Sequence, residues 1–494
     1  MNRNFDREFE SRKEKILNSE SINTPSKNTY YVSSKYGNDD NDGLTENTPW
    51  KTLEKVSKAS LRHGDKVLFR RDDLFRGCVY TKPGVTYSAY GTGKKPEFYG
   101  SETSLCNSGM WKLYDEKNSI WKYAKSMHDA GTIVFNSGEH FARKLIPSYN
   151  GKTFVLRDNT DIPFIISEQL TNDLDFYWEF GEDVYNTTET KGESFPVPEM
   201  YKVNPTGAIY LRCEKGNPAE VFDEIESVAR VHMFIVGDNE NVTIDNICVK
   251  YVGMHGVTGG GHVKGLTVTN CEFGFIGGAI QHFLGTDPNF PVGGRGSVTR
   301  FGNAIEIYGG CEDFTVENNY IYQSYDAGIT HQITTDRKVI MKNILYRNNL
   351  IEKCVYGIEY FLDKINGEKE SIMENVEISG NFIRLSGYGW GQQRHNTDTP
   401  AHIKSWNFSN TAKNFTIKNN IFDRSAYRML HLVCDDEMSL PMLCGNTYIQ
   451  SKDGILGQYG TVCDGGLELQ MFNEDVYKIT AEKFGDKSAE IYFV

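Results

Sequence analysis

The stretch FTVENNYIYQS (314–324) decides the fold. Phe314 and Val316 alternate with polar neighbours, two asparagines follow, and a second short apolar run begins at Tyr320. Similar segments are VTIDNICVKYV (242–252), LTVTNCEFGFI (266–276), ILYRNNLIEKC (344–354), VEISGNFIRLS (376–386), FTIKNNIFDRS (415–425) and MLCGNTYIQS (442–451). Internal repetition of this kind marks a stack of equivalent units.

The matching positions are Asn246, Cys271, Asn319, Asn349, Asn381, Asn420 and Asn446, in steps of 25, 48, 30, 32, 39 and 26 residues. The shortest step suits one coil of a parallel β-solenoid, and the longer ones require loops inserted into individual coils. Period-2 patterning between turn residues calls for strands. Asn suits the turn because it tolerates left-handed backbone, and stacked amides can bond up the column. The expected fold is therefore all-β: a right-handed parallel β-helix with an N-terminal capping helix and an inserted β-rich, sandwich-like domain.

The expected boundaries are 1–28 for a partly helical or disordered extension, 29–99 for the cap and first rungs, and 100–215 for the insert. The β-helix core with its active-site face follows at 216–460, and 461–494 covers the far end. The capping helix falls near Trp50–Leu61, and AGTIVFNSGEHFARKLI (130–146) reads as part of a separate antiparallel sheet.

Composition narrows the function. At 494 residues with 39% hydrophobic content the chain can bury a large core, and its net charge of −13 repels nucleic acid and anionic lipid. No signal peptide and no membrane span is read, so the expected address is cytoplasmic, with neither nucleic acid nor membrane as partner. The ten scattered cysteines read as buried free thiols. The glycine-rich TGGGHVKG (258–265) lacks the strand–turn–helix context of a phosphate loop.

The assembled pattern resembles bacterial carbohydrate-active β-helix proteins of the pectate-lyase-like superfamily. The opening YYVSSKYGNDDNDGLTENTPWKTLEKV, followed by GDKVLF, looks like their capping segment. GNAIEIYGG, YDAGITHQ and GYGWG look like their glycosidase members of the β-xylosidase (family 120) and fucosidase/xylanase (family 141) type. The resemblance implies a carbohydrate-active enzyme.

The segments after each Asn turn carry the candidate chemistry: GNAIEIYGG (302–310), DAGITHQ (326–332), YGIEYF (356–361), AHIKSW (401–406) and RMLHLV (428–433). Ile305, Ile329, Ile358, Ile403 and Leu430 read as buried anchors. The residues after them, Glu306, Thr330, Glu359, Lys404 and His431, should point outward in one solvent-facing column, ~4.8 Å apart.

Glycoside hydrolysis needs two carboxyl groups. The candidates are Asp326 as nucleophile or base, Glu359 as general acid, and Glu306 to orient substrate or exchange roles with Glu359. Glu306 and Glu359, two rungs apart, would stand roughly 9.6 Å from each other, near the inverting limit of ~9.5 Å. Asp326 lies closer to each. Asn303, Tyr325, His331, Gln332, Tyr360, Trp390, Arg394, His402, Lys404 and His431 are the candidate substrate-binding groups, with Tyr308 and Trp406 as further aromatics nearby. Asp363, Asp435 and Asp436 read as loop charges.

The expected function is a glycoside hydrolase acting on a neutral plant-type oligosaccharide (xylo-, fuco- or arabino-type), with no cofactor. One alternative is a Ca²⁺-dependent polysaccharide lyase or uronate C5-epimerase using Lys404 or Arg394 as base. The other is a non-catalytic glycan-binding solenoid.

Overall fold

Each repeat forms one three-sided coil, and stacking the coils produces three parallel faces. The computed structural model describes residues 3–149, 154–156, 162–179, 206–284, 297–394, 399–406, 411–462 and 467–494. The first face includes Val257–Lys264, Ile305–Glu317, Ala327–Thr335, Tyr356–Lys364, Ala401–Ser405 and Arg428–Cys434. The second continues from it through Ile340–Arg347, Ile372–Ser379 and Ala412–Lys418, and the third holds Tyr320–Ser324, Leu350–Glu352, Phe382–Ser386 and Ile421–Ser425. Neighbouring coils pair in parallel register, as the expected right-handed β-helix requires.

The register stacks like on like. Val257, Ile305, Ile329, Ile358, Ile403 and Leu430 form one interior column. Ile321, Ile351, Ile383, Phe422 and Tyr448 form another. These side chains are almost fully buried, and each contributes about 1.5–3 kcal/mol.

The asparagine column is a hydrogen-bonded ladder. Each Nδ2 of Asn319, Asn349, Asn381 and Asn420 donates to the Oδ1 of the next asparagine at 2.9–3.0 Å, ending on Asn446. Asn446 then donates to the buried carboxylate of Asp486 at 2.8 Å. The division of labour differs from the sequence reading. The left-handed residue is the one before the ladder: Asn318 (φ 56°), Asn348 (57°), Asn419 (55°), and glycine at 380 and 445. Asn246 (φ 58°) is itself such a residue, aligned with Asn270 and Asn318, so Ile247 rather than Asn246 matches Cys271. A second, exposed ladder of Asp313, Asn343, Asn375 and Asn414 turns the corner between the first two faces.

The ends are covered. Leu53 and Val56 of the short helix Leu53–Lys58 are buried in the main core at one end, with Phe472, Val476 and Phe484 at the other. The N-terminal helix α1 (Phe5–Leu17), capped by Asn4, lays Phe9 and Ile16 over Tyr320, Leu350, Phe382, Ile421 and Ile449 on the third face. The insert contributes a six-stranded sheet from Trp111–Asp115 to Thr206–Arg212. Ala130–Phe135, however, does not belong to it. That strand pairs antiparallel with Ile225–Ala229 and extends the third face, so the insert is stitched into the solenoid.

The cysteines among the described residues are free and mostly buried, and Cys463 lies outside those residues. Among the described residues no helix is long and apolar enough to cross a membrane.

Candidate active site

Strand register places Glu306, Thr330, Glu359, Lys404 and His431 in one column on the first face. The column is not solvent-facing as the pattern suggested. Glu306 is 6% exposed and Glu359 3%, and Thr330, Lys404 and His431 are buried too. Side chains from the connecting segments stand over them, which a strand-alternation argument does not foresee. Part of the long connections expected to shape the cleft, 285–296 and 395–398, lies outside the described residues.

Three donors surround Glu306. Asn303 Nδ2 lies at 2.5 Å and Gln332 Nε2 at 3.1 Å from one carboxylate oxygen, and His255 Nε2 at 3.2 Å from the other. His255 Nδ1 accepts the backbone N–H of Asn303 at 3.0 Å, which leaves the ring proton on Nε2, aimed at Glu306. His232 stacks on His255 at 5.1 Å, and burial pushes His255 well below the usual imidazole range. Burial pushes the Glu306 carboxyl up to about 8, opposed by the Asn303 bond and assisted by the charge of Asp326.

Glu359 has a different setting. The Trp406 indole N–H donates to it. Burial, then the negative charge of Asp326, raise its carboxyl far above the ordinary range, while Trp406 and Arg394 pull the other way. Asp326 therefore acts on both Glu306 and Glu359 and is the shared neighbour of the two. Its own carboxylate is ion-paired with Arg394 at 2.5 Å.

Arg394 is delivered by a braced loop. The turn Trp390–Gln393 precedes it, and Gln393 bonds the insert on both sides: its Oε1 accepts the N–H of Lys144 at 3.1 Å, and its Nε2 donates to Ala142 O at 2.9 Å. Lys144 is buried against Asp129, and Asp129 accepts the Ile280 N–H at 2.6 Å. The insert thus positions the cation that faces Asp326.

Several candidate binding groups are placed elsewhere. His331 and Tyr360 are two residues beyond their anchors and share their inward parity. They stack at 6.0 Å inside the coil, and His331 Nδ1 bonds the Tyr346 hydroxyl at 2.9 Å. His402 also turns inward, bonding Ser386 and stacking on Phe422 at 5.9 Å. Trp390 is fully buried, its indole donating to Gln323 O, and it packs on Tyr325. Tyr325 is itself buried, with the Arg300 guanidinium over its ring, 4.4 Å from the centroid. None of these five side chains offers a surface to substrate. Asp363 lies on a strand of the first face rather than in a loop.

Asn303, Gln332, Arg394, Lys404 and His431 do gather around the column. Lys404 lies over the Trp406 ring at 4.3 Å. His431 donates from Nδ1 to Ser405 O at 2.5 Å, and burial, with Lys404 and Arg428 nearby, pulls its pKa down to about 3. Sequence reasoning missed His255 and Gln393. The signal for His255 was available, because it lies just before the first-face strand Val257–Lys264, one coil ahead of Asn303.

No family profile matches the chain. Over 54 residues it is 53% identical to a lacto-N-biosidase from Bifidobacterium longum subsp. longum, a match covering 10% of this chain and 3% of that protein. Among solved structures, the GH136 lacto-N-biosidase from Eubacterium ramulus is similar with a TM-score of 0.36 and 12% identity, over 94% of this chain and 68% of that one. XylC, solved with xylose, gives a TM-score of 0.40 and 12% identity, over 94% and 82%.

Proposed function

We propose that the protein is a glycoside hydrolase that cleaves a neutral oligosaccharide, of the xylo-, fuco- or arabino-type or bearing lacto-N-biose. The observation that carries this reading is the carboxyl trio. Glu359 is held toward its protonated form, while Asp326, its immediate charged neighbour, faces a guanidinium. Unequal environments of this kind divide an acid from a base.

Glu359 protonates the leaving glycosidic oxygen. Asp326 attacks the anomeric carbon or takes the proton of the attacking water, and Arg394 holds it in place. Glu306, gripped by Asn303, Gln332 and His255, orients a sugar hydroxyl beside the reacting carbon. The lyase alternative would need Glu306 to ligate Ca²⁺, yet its oxygens already receive three donors. It would also need Arg394 or Lys404 as base, and Arg394 is committed to Asp326.

The test is a screen against p-nitrophenyl glycosides and oligosaccharides in EDTA, with uronate polymers plus Ca²⁺ in parallel. Reducing ends released in EDTA by the parent and lost in Asp326→Ala support hydrolysis. Calcium-dependent ultraviolet absorbance from an unsaturated product overturns it.

A further inference from the structure

The glycine run of TGGGHVKG has no role in the chemistry above, and the register shows where it lies. The outward positions of the first face form rows parallel to the carboxylate column. Beside Thr258, Glu306, Thr330 and Glu359 runs the row Gly260, Tyr308, Gln332 and Phe361. Farther along the face, His262 pairs with Gly310, and on later coils Thr334 pairs with Asp363.

Tyr308 is 44% exposed, unusual for a large aromatic on a face whose neighbouring column is buried. Its hydroxyl accepts the Thr334 N–H at 3.3 Å, which fixes the ring. The position beside it, Gly260, has no side chain, and a Cβ there would meet nothing closer than 3.8 Å. Tyr308 lines a cavity of about 740 Å³ together with Gly261, His262, Glu312, Thr334, Asp336 and Arg337, a size suited to a small ligand. Tyr308 lies two residues from Glu306 on one strand, roughly 6.8 Å along the chain.

We propose that Tyr308, exposed on the wall of this cavity, is the platform of a further sugar subsite for a neutral pyranose one unit removed from the scissile bond. The ring offers an apolar face to the C–H face of the sugar. Donors and acceptors at His262, Glu312, Asp336 and Arg337 take the hydroxyls at its edge. Gln332 links this row to the carboxylates through its bond to Glu306. The inference rests on the glycosidase reading for its ligand class.

The experiment is calorimetric titration of the full-length Asp326→Asn protein with xylotriose, galactotriose and lacto-N-tetraose. The expected result is saturable binding of at least one of them. Tyr308→Ala, added to that background, weakens it about ten-fold, and Tyr308→Phe stays within about three-fold. Arg337→Ala, which removes a donor from the cavity wall, weakens it to a lesser extent. Unchanged binding in both Tyr308→Ala and Arg337→Ala overturns the subsite, as does the absence of binding by all three sugars. Binding that depends on Tyr308 in a protein whose parent hydrolyses no glycoside keeps the subsite and removes the hydrolase reading.

Discussion

Two columns of polar side chains climb this solenoid, and they are built on opposite principles. The asparagine ladder repeats one residue on successive coils, so each amide donates to the next and the column satisfies itself. The column on the first face changes at every coil: Glu306, Thr330, Glu359, Lys404, His431. Its members depend on groups from other segments, namely Asn303, His255, Arg394 and Trp406. A self-satisfied column stabilises. A column of unlike groups with displaced pKa values stores chemistry at some expense in stability.

Substitution should separate the two. Asp326→Asn is expected to lower kcat by about 10³-fold or more while shifting the melting temperature little, measured by initial rates and calorimetry on the same preparation. A large loss of stability without loss of rate would make Asp326 another structural residue. Glu359→Gln should cost about 10²–10⁴-fold in kcat. It should be partly restored for substrates with a good aryl leaving group, which needs no proton; equal losses on both substrates would remove Glu359 from the acid role.

The ladder gives the reverse outcome. Asn381→Leu leaves buried partners on Asn349 and Asn420 unpaired and is expected to destabilise by about 3 kcal/mol, seen in denaturant unfolding, with kcat of the folded fraction unchanged.

Stability against pH tests the raised carboxyl groups. Glu306 has a folded-state pKa of about 8, above its ordinary value of 4.5. Its contribution is therefore fully present below pH 4.5 and is lost as the pH rises through about 8. The parent should lose stability over that window, and Glu306→Gln should flatten the loss. An identical slope in both proteins would contradict the assignment. The smallest effect is expected in the exposed ladder, where Asn375→Gly keeps the left-handed backbone (φ 56°) and removes only two solvated bonds, to Asn343 and from Asn414, within about 1 kcal/mol.

The parity of the strands explains which site residues were legible. Glu306 and Glu359 follow their anchors by one residue, and alternation alone puts them on one face. The same parity places His331 and Tyr360 inside, two residues past Ile329 and Ile358, a signal that the attraction of polar types to a cleft obscured. Trp390 and Tyr325 are buried by Arg300 and the braced turn, contacts between residues 25 to 67 apart in the chain, which no local pattern encodes.

What the sequence by itself determined is the coil: its repeat, its interior columns and the asparagine turn. Those follow from local alternation and from one residue type recurring at corresponding positions. What only the tertiary structure decided is the electrostatics of the carboxyl groups. Glu359 is held toward its protonated form by burial and the charge of Asp326, against the pull of Trp406 and Arg394, and Asp326 faces a cation because Arg394 closes over the column. The braced contact of Gln393 with the insert places Arg394 there. Charge stability is set by what surrounds a group in space, and here those surroundings arrive from distant parts of the chain.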